Sequence, residues 1–150
     1  MKVFSSIGEL ENAVGTHLGH SDWRTVTQHQ IDTFAEITGD AQWIHVDTER
    51  AARGPYGTTI AHGYLTLSLV SALSWEVYQV EGFRMSVNYG ADRLRFPAPV
   101  PAGSRVRAGV EIVSVTPGDV GYRVVARITV EVEGGAKPAS VVDSVSLLVP

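Results

Sequence analysis

The chain has 150 residues, carries a formal net charge of −4 from 12 basic and 16 acidic side chains, and contains no cysteine. This length predicts one domain, residues 1–150, that can bury a hydrophobic core without cross-links. The absence of cysteine excludes disulfides, thiol nucleophiles and cysteine-ligated metals, and the acidic balance argues against nucleic-acid binding. The longest uncharged, apolar-rich stretch, Gly63 to Trp75, is shorter than the roughly 20 residues that a membrane span needs. Because the N-terminus also lacks the apolar segment of a signal peptide, we expect a cytoplasmic protein with no membrane partner.

The first clear element is a helix that begins after Thr27. Thr27 and Gln30 have the spacing of a capping box, in which each side chain satisfies a backbone amide at the helix start. Four residues then follow at helical spacing and predict one buried face: Ile31, Phe34, Ala35 and Thr38. Gly39 predicts the helix end, since glycine adopts the left-handed conformation without strain, and this leaves Asp40 in a loop.

A short helix is predicted next, from Asp47 or Thr48 through Ala52, with Asp47 as its cap. Residues 54–57 (Gly-Pro-Tyr-Gly) predict a loop. The segment 64–80 alternates locally like a strand, but its length without glycine or proline favours a helix. Its apolar residues are interrupted mainly by serine and threonine, which predicts a helix buried on most sides.

The rest of the chain predicts a meander of strands. The first spans residues 85–96 and ends at Pro97 and Pro99, and turns are predicted at 116–119 and 133–135. Inward-facing residues alternate along the later strands: Val106, Ala108, Val110 and Ile112; Tyr122, Val124, Ala126, Ile128, Val130 and Val132; Val141, Val145, Leu147 and Val149. One long helix with an antiparallel sheet that wraps it is an α+β architecture.

Asp40 and His45 are the best candidates for chemistry. A carboxylate and an imidazole in one loop can hold and deprotonate a water, since histidine titrates near neutrality. The alternative is that Asp40 is a turn residue and His45 an exposed loop residue. The five histidines do not have metal-binding spacing, and no phosphate loop or Gly-x-Ser-x-Gly motif occurs. We therefore predict no metal site.

Gly63 is the second candidate, at the start of the long predicted helix. A helix N-terminus presents free amides and partial positive charge, so the Gly63 amide can stabilise an oxyanion. The alternative is an ordinary helix start. Three serines on this helix, Ser68, Ser71 and Ser74, are expected to bond back to the preceding turn or to face the site.

Four sequence pieces occur in an order that resembles one family: Phe34-Ala35-x-x-Thr38-Gly39-Asp40, His45-x-Asp47, Ile60-Ala61-His62-Gly63-Tyr64-Leu65, and 87–106 with Arg93-Leu94-Arg95-Phe96-Pro97. Over about residues 20–149 the chain resembles the MaoC-like (R)-specific enoyl-CoA hydratases, and its later part the NodN-type branch. The resemblance implies a hotdog fold, in which an antiparallel sheet wraps a long central helix. It also implies a homodimer with an acyl tunnel formed partly between subunits.

Carried over to this chain, the resemblance makes Asp40 and His45 the catalytic dyad, Gly63 the oxyanion donor and Ser71 a serine that supports the dyad by hydrogen bonding. The implied reaction is (R)-specific hydration of a trans-2-enoyl-CoA without a cofactor, a lyase activity of fatty acid metabolism. Water held by the dyad attacks C3, and the Gly63 amide holds the enolate oxygen. The residues expected to line the acyl-CoA site are Ile60, Ala61, His62, Gly63, Ser86, Val87, Asn88, Tyr89, Pro97, Ala98 and Pro99.

Four arginines are further candidates for the CoA phosphates or, alternatively, ordinary strand residues: Arg93, Arg95, Arg105 and Arg107. The chain departs from the family at Gln42-Trp43, where Asn-Pro is usual, so Trp43 is expected to reshape the pocket mouth or the loop that holds His45. Two alternative functions are a hotdog thioesterase and a non-catalytic acyl-binding domain. The lack of Asp and Glu in residues 64–75 disfavours the thioesterase, while the Gln42-Trp43 departure keeps the non-catalytic alternative open.

Overall fold

The computed structural model describes all 150 residues. Eight strands and five helices follow one another: β1 (Lys2–Phe4), α1 (Ile7–Glu11), β2 (His17–His20), β3 (Arg24–Thr25), α2 (Gln28–Thr38), α3 (Trp43–Val46), α4 (Thr48–Ala52), α5 (Gly63–Val77), β4 (Tyr78–Val80), β5 (Met85–Arg95), β6 (Arg105–Gly118), β7 (Gly121–Val132) and β8 (Ser140–Val149). None of the helices combines the length and the apolar character that crossing a bilayer requires.

The main sheet has the strand order β2-β6-β7-β8-β5, with β3 also paired to β6. The pairings are antiparallel throughout. Val106, Ala108, Val110 and Ile112 of β6 are fully buried, as the alternation predicted, and face the core together with the inward residues of β7. The predicted α+β architecture, a sheet around one long helix, is confirmed.

Helix α5 packs its buried side into this sheet. Leu65, Val70, Leu73 and Val77 belong to the core cluster, and a fully buried residue of this kind contributes about 1.5–3 kcal/mol. The opposite side is not covered: Tyr64, Ser68 and Trp75 are exposed. The prediction of burial on most sides is therefore wrong for a strip along the helix.

The sequence prediction differs from the structure at two element boundaries and in the buried face of β8. The long helix ends at Val77, because Tyr78–Val80 leave it to pair in parallel with Lys2–Phe4. The β6–β7 turn lies at residues 119–120, because β6 continues through Pro117 and Gly118. In β8, the predicted Val145 is buried, but the other buried apolar residues are Val142 and Leu148, and the predicted Val141, Leu147 and Val149 are only half-buried.

The helices that lead to the site follow their local signals closely. Thr27 and Gln30 form the predicted capping box of α2, and Gly39 ends it in the left-handed conformation with φ of 77°. The side chain of Asp47 accepts a hydrogen bond from the Arg50 amide and caps α4. His45 lies in α3 rather than in the predicted loop.

Candidate active site

Three side chains from three segments converge beside the start of α5. Asp40 follows the end of α2, His45 lies in α3, and His62 immediately precedes α5. One carboxylate oxygen and one nitrogen from each ring lie within 4.8 Å of one another. A single water can bridge two polar atoms at this separation with two hydrogen bonds of about 2.8 Å. The predicted proximity of Asp40 and His45 is therefore present.

The ring of His45 is buried and held in one orientation. Its Nδ1 lies 2.7 Å from the carbonyl oxygen of Ile60. Because a carbonyl only accepts hydrogen bonds, Nδ1 must donate, and the lone pair of the neutral ring is on Nε2. His45 is thus a buried, oriented residue, and the alternative of an exposed loop histidine is wrong.

The backbone of His45 is fixed by a neighbouring helix. Gln28, at the start of α2, donates from Nε2 to the carbonyl oxygen of His45 at 2.8 Å. The hydroxyl of Thr59 donates to the Gln28 side-chain oxygen, so one side-chain amide connects α2, α3 and the segment that precedes α5. No local sequence pattern indicates this role of Gln28, because its partners lie 17 and 31 residues away.

His62 lies beneath His45 rather than in the wall of the cleft. The two rings stack with their centroids 3.8 Å apart and their planes 24° apart. On another side of His62, the centroid of the Phe34 ring lies 5.0 Å from that of His62. The Nε2 of His62 donates to the carbonyl oxygen of Asp40 at 2.8 Å. Its Nδ1 is buried without a partner, an arrangement that costs about 1–3 kcal/mol.

Gly63 is the first residue of α5, and its amide makes no hydrogen bond within the chain. This is expected of the first turn of a helix, whose amides have no partner in the preceding backbone. The ring of Phe96 packs against Gly63 so closely that a Cβ at this position would lie 2.9 Å from two ring carbons. Glycine here is required by the packing of Phe96, a contact that the sequence did not reveal.

A cleft of about 450 Å³ opens between these residues and the proline-rich segment after β5. Seven of the predicted site residues line it: His45, Ile60, Ala61, Gly63, Pro97, Ala98 and Pro99. Tyr56, Thr66, Phe96, Val100 and Ala139 complete the lining and were not predicted. The free amide of Gly63 and the ring of His45 therefore face one concave, largely apolar surface, which suits a polar reacting group carried on an apolar chain.

Other predicted residues lie elsewhere. Ser86 and Asn88 line a second cavity, of about 330 Å³, between the C-terminal half of α5 and the sheet. Ser71 lines the same cavity and accepts a hydrogen bond from Asn88 at 3.2 Å, so its predicted contact with the Asp40–His45 pair is not present in this chain. Val87 and Tyr89 are exposed on β5.

Trp43 does not line the cleft. Its ring packs against Gly54, where a Cβ would lie 2.9 Å from the indole, and the guanidinium of Arg50 lies 4.4 Å from the ring centroid. The Trp43 carbonyl accepts a hydrogen bond from Asp47, which closes α3 without a proline. Trp43 thus belongs to the outer packing of α3 and α4, and the expectation that it reshapes the cleft mouth is not met.

Three of the four arginines form ion pairs with carboxylates of neighbouring segments. Arg105 pairs with Glu133, and Arg107 pairs with Glu131 at 2.8 Å. The hydrogen bonds that Arg105 donates to Glu133 lower the pKa of the Glu133 carboxyl and raise the pKa of the Arg105 guanidinium. Arg93 lies 3.8 Å from the buried Asp143, and Arg95 donates to the neighbouring Leu94 carbonyl. None of the four lines the cleft in this chain.

Asp40, His45 and His62 also have the composition of a metal site. The stacked rings argue against it, because lone pairs lie in the ring planes and two planes only 24° apart do not direct them at one ion. The geometry fits proton transfer better than metal binding.

The chain is similar to known proteins over nearly its whole length. The model of the family described as MaoC like domain matches residues 9–134. Over 146 residues the chain is 51% identical to 3-hydroxyacyl-thioester dehydratase Z of Mycobacterium tuberculosis, with 97% of each protein covered. It is 40% identical over 146 residues to nodulation protein N of Rhizobium leguminosarum, with 95% of this chain and 91% of that protein covered. The solved (R)-hydratase of A. caviae superposes with a TM-score of 0.71 at 26% identity, covering 87% of this chain and 96% of that structure.

Proposed function

This chain belongs to the MaoC-like dehydratase family and has its hotdog fold, and we propose from this membership that it interconverts 3-hydroxyacyl thioesters and trans-2-enoyl thioesters. A relative that covers nearly the whole chain is named a 3-hydroxyacyl-thioester dehydratase. The observation that carries the proposal is the proximity of the Asp40 carboxylate to His45, whose ring lines one cleft together with Gly63 and its unpartnered amide.

In the hydration direction, Asp40 and His45 hold one water above C3 of the enoyl thioester. The Nε2 lone pair of His45 takes a proton from the water as its oxygen bonds to C3, because Nδ1 is already committed to Ile60. The π electrons of the C2–C3 bond form a C1–C2 double bond while the π electrons of the carbonyl move to the thioester oxygen, and the Gly63 amide stabilises the resulting enolate. The proton then passes to C2, so that H and OH have been added across the double bond. Dehydration is the reverse of these steps.

We propose that the product is the (R)-3-hydroxyacyl thioester, as the solved (R)-hydratase with the same fold suggests. The thioester activates the alkene by itself, so the proposed reaction needs no cofactor. The carrier is proposed to be coenzyme A, within fatty acid metabolism. Chiral separation of the product tests the stereochemical part independently of the rate.

A second copy of the chain is the proposed partner. Strand β5 lies at the edge of the sheet with one neighbour, and ten of its eleven residues are exposed. The exposed strip of α5, which contains Tyr64, Ser68 and Trp75, is also uncovered in the single chain. A homodimer that pairs the edge strands would extend the sheet and cover apolar surface that is unusual on a monomer.

The deciding experiment follows the loss of enoyl-thioester absorbance with crotonyl-CoA and with a longer enoyl-CoA. The wild-type protein should consume at least one substrate, and Asp40→Asn and His45→Gln should each lower kcat/KM by at least about 100-fold, the usual contribution of a general acid or base. His29→Gln is the matched control, because His29 is exposed on α2 and its ring makes no hydrogen bond.

Three results would contradict the proposal: no consumption of either substrate by the wild-type protein, full activity of both variants, or release of free thiol without loss of the alkene. The last result would establish the thioesterase alternative. Binding of acyl-CoA without turnover would establish the non-catalytic one.

A further inference from the structure

His62 links the parts of the site that come from different segments of the chain. It is 2% exposed, its ring stacks on His45, and its backbone leads directly into Gly63. Its Nε2 donates to the backbone oxygen of Asp40. The residue that leads into the helix therefore contacts both the proposed base and the loop of the proposed carboxylate.

The bond from His62 is the only long-range hydrogen bond of the Asp40 loop. Within residues 39–42, the remaining hydrogen bonds connect Gly39 to Ala35, Asp40 to Thr38, Ala41 to Gly39, and Gln42 to His45. All of these partners lie between residues 35 and 45, so none of them fixes the loop against α5. The His62–Asp40 bond spans 22 residues and sets the position of the carboxylate relative to the head of that helix.

The unpartnered nitrogen of His62 supports a role beyond filling space. Because the Asp40 oxygen only accepts, Nε2 carries the hydrogen and Nδ1 is left as a buried acceptor without a donor. A phenylalanine would place an aromatic ring in the same space without an unpaired nitrogen in the interior. The feature that distinguishes histidine from phenylalanine here is the N–H group that reaches Asp40.

We propose that His62 is a positioning residue: it fixes the positions of Asp40 and His45 relative to the Gly63 amide without contacting the substrate. This inference rests on the proposed function for its kinetic consequence. Ala61 and Gly63 line the cleft and His62 does not. Substitution of His62 should therefore affect turnover more than thioester binding.

Two substitutions distinguish the contribution of the His62 N–H donor from that of its aromatic ring. His62→Phe keeps an aromatic ring against His45 and removes the donor, while His62→Gln removes the ring and can place an amide N–H near the position of Nε2. We expect His62→Phe to lower kcat by about 10- to 100-fold, as a displacement of about 1 Å does at such sites, with KM within about twofold of wild type. We expect His62→Gln to retain kcat within about fivefold, because the hydrogen bond to Asp40 is restored.

A second measurement does not depend on activity. Amide hydrogen exchange at residues 40–42 should be at least about tenfold faster in His62→Phe than in the wild-type protein, and near wild type in His62→Gln and in the control His29→Gln. Circular dichroism shows whether each variant is folded, and exchange in the core strands β6 and β7 serves as the internal reference.

Unchanged exchange in folded His62→Phe would overturn the proposal, whatever the activity. The proposal would also be overturned if His62→Gln lost as much kcat as His62→Phe and exchanged its amides at residues 40–42 equally fast. If the wild-type protein does not turn over enoyl thioesters but the exchange pattern is as expected, the proposed function fails and the positioning role of His62 stands. If His62→Phe does not fold, the glutamine variant and 15N chemical shifts of the wild-type ring decide, since a ring protonated at Nδ1 would contradict the bond to Asp40.

Discussion

Two features of Gly63 depend on its lack of a side chain: the accessibility of its amide and its close contact with Phe96. Its amide is free at the head of α5, and its Cα lies against the ring of Phe96. The absence of a Cβ lets the Phe96 ring approach the backbone, and it leaves the amide open to the substrate oxygen that the proposed function places there. The sequence identified the glycine from its place at a helix start, but Phe96 lies 33 residues away in the chain and no local pattern connects the two residues.

Gly63→Ala should lower the free energy of unfolding by about 1–3 kcal/mol, because the new methyl group would lie 2.9 Å from Phe96. Phe96→Leu removes the ring edge, so the double variant should recover part of this loss, with a coupling energy of at least about 0.5 kcal/mol. Urea unfolding of the wild-type protein, the two single variants and the double variant measures this coupling energy. Additive effects of the two substitutions would show that the contact is looser than the structure indicates.

Helix α2 shows how an element made from local signals can place a functional group. The Thr27–Gln30 capping box fixes its start and Gly39 its end, so the position of Asp40 along the chain follows from residues close to it. Such caps act through neighbouring backbone groups, and the sequence predicted both ends to within one residue for that reason. Helix α3 and the β1–β4 pair were not predicted, since β1 and β4 are brought together only by the fold and α3 has no side-chain cap.

Gly39→Ala should lower the free energy of unfolding by about 1–2 kcal/mol, the usual penalty of a side chain in the left-handed region. The space around Gly39 is open and its φ is 77°, so this penalty comes from backbone conformation rather than from a clash. Gly39→Asn is the matched variant, because asparagine tolerates this conformation better, and it should lose less than half as much. Chemical denaturation compares them, and equal losses in the two variants would argue against a conformational cause.

At the scale of the whole molecule, the two edges of the sheet differ: one is covered by short strands, and the other is a long strand that is unpaired on its outer side. Short strands β2 and β3 cover the β6 edge, while the eleven residues of β5 pair only with β8 and present an exposed row of backbone groups. Natural sheets rarely leave so long an edge unprotected. The Ser71–Asn88 cavity opens beside this edge, so a second copy that pairs there would also change the surroundings of Ser71.

The edge pairing predicts that charge on β5 abolishes dimerisation. Val87 and Tyr89 are exposed on this strand, and Val87→Lys with Tyr89→Lys places two like charges on each copy where the edges meet. We expect light scattering to give a dimer for the wild-type protein and a monomer for the double variant, with unchanged circular dichroism. Val120→Lys adds a charge at an equally exposed apolar position in the β6–β7 turn, far from the edge in sequence, and should remain dimeric. A dimeric double variant, or a monomeric wild-type protein, would refute the β5 interface, because both are incompatible with association through this strand.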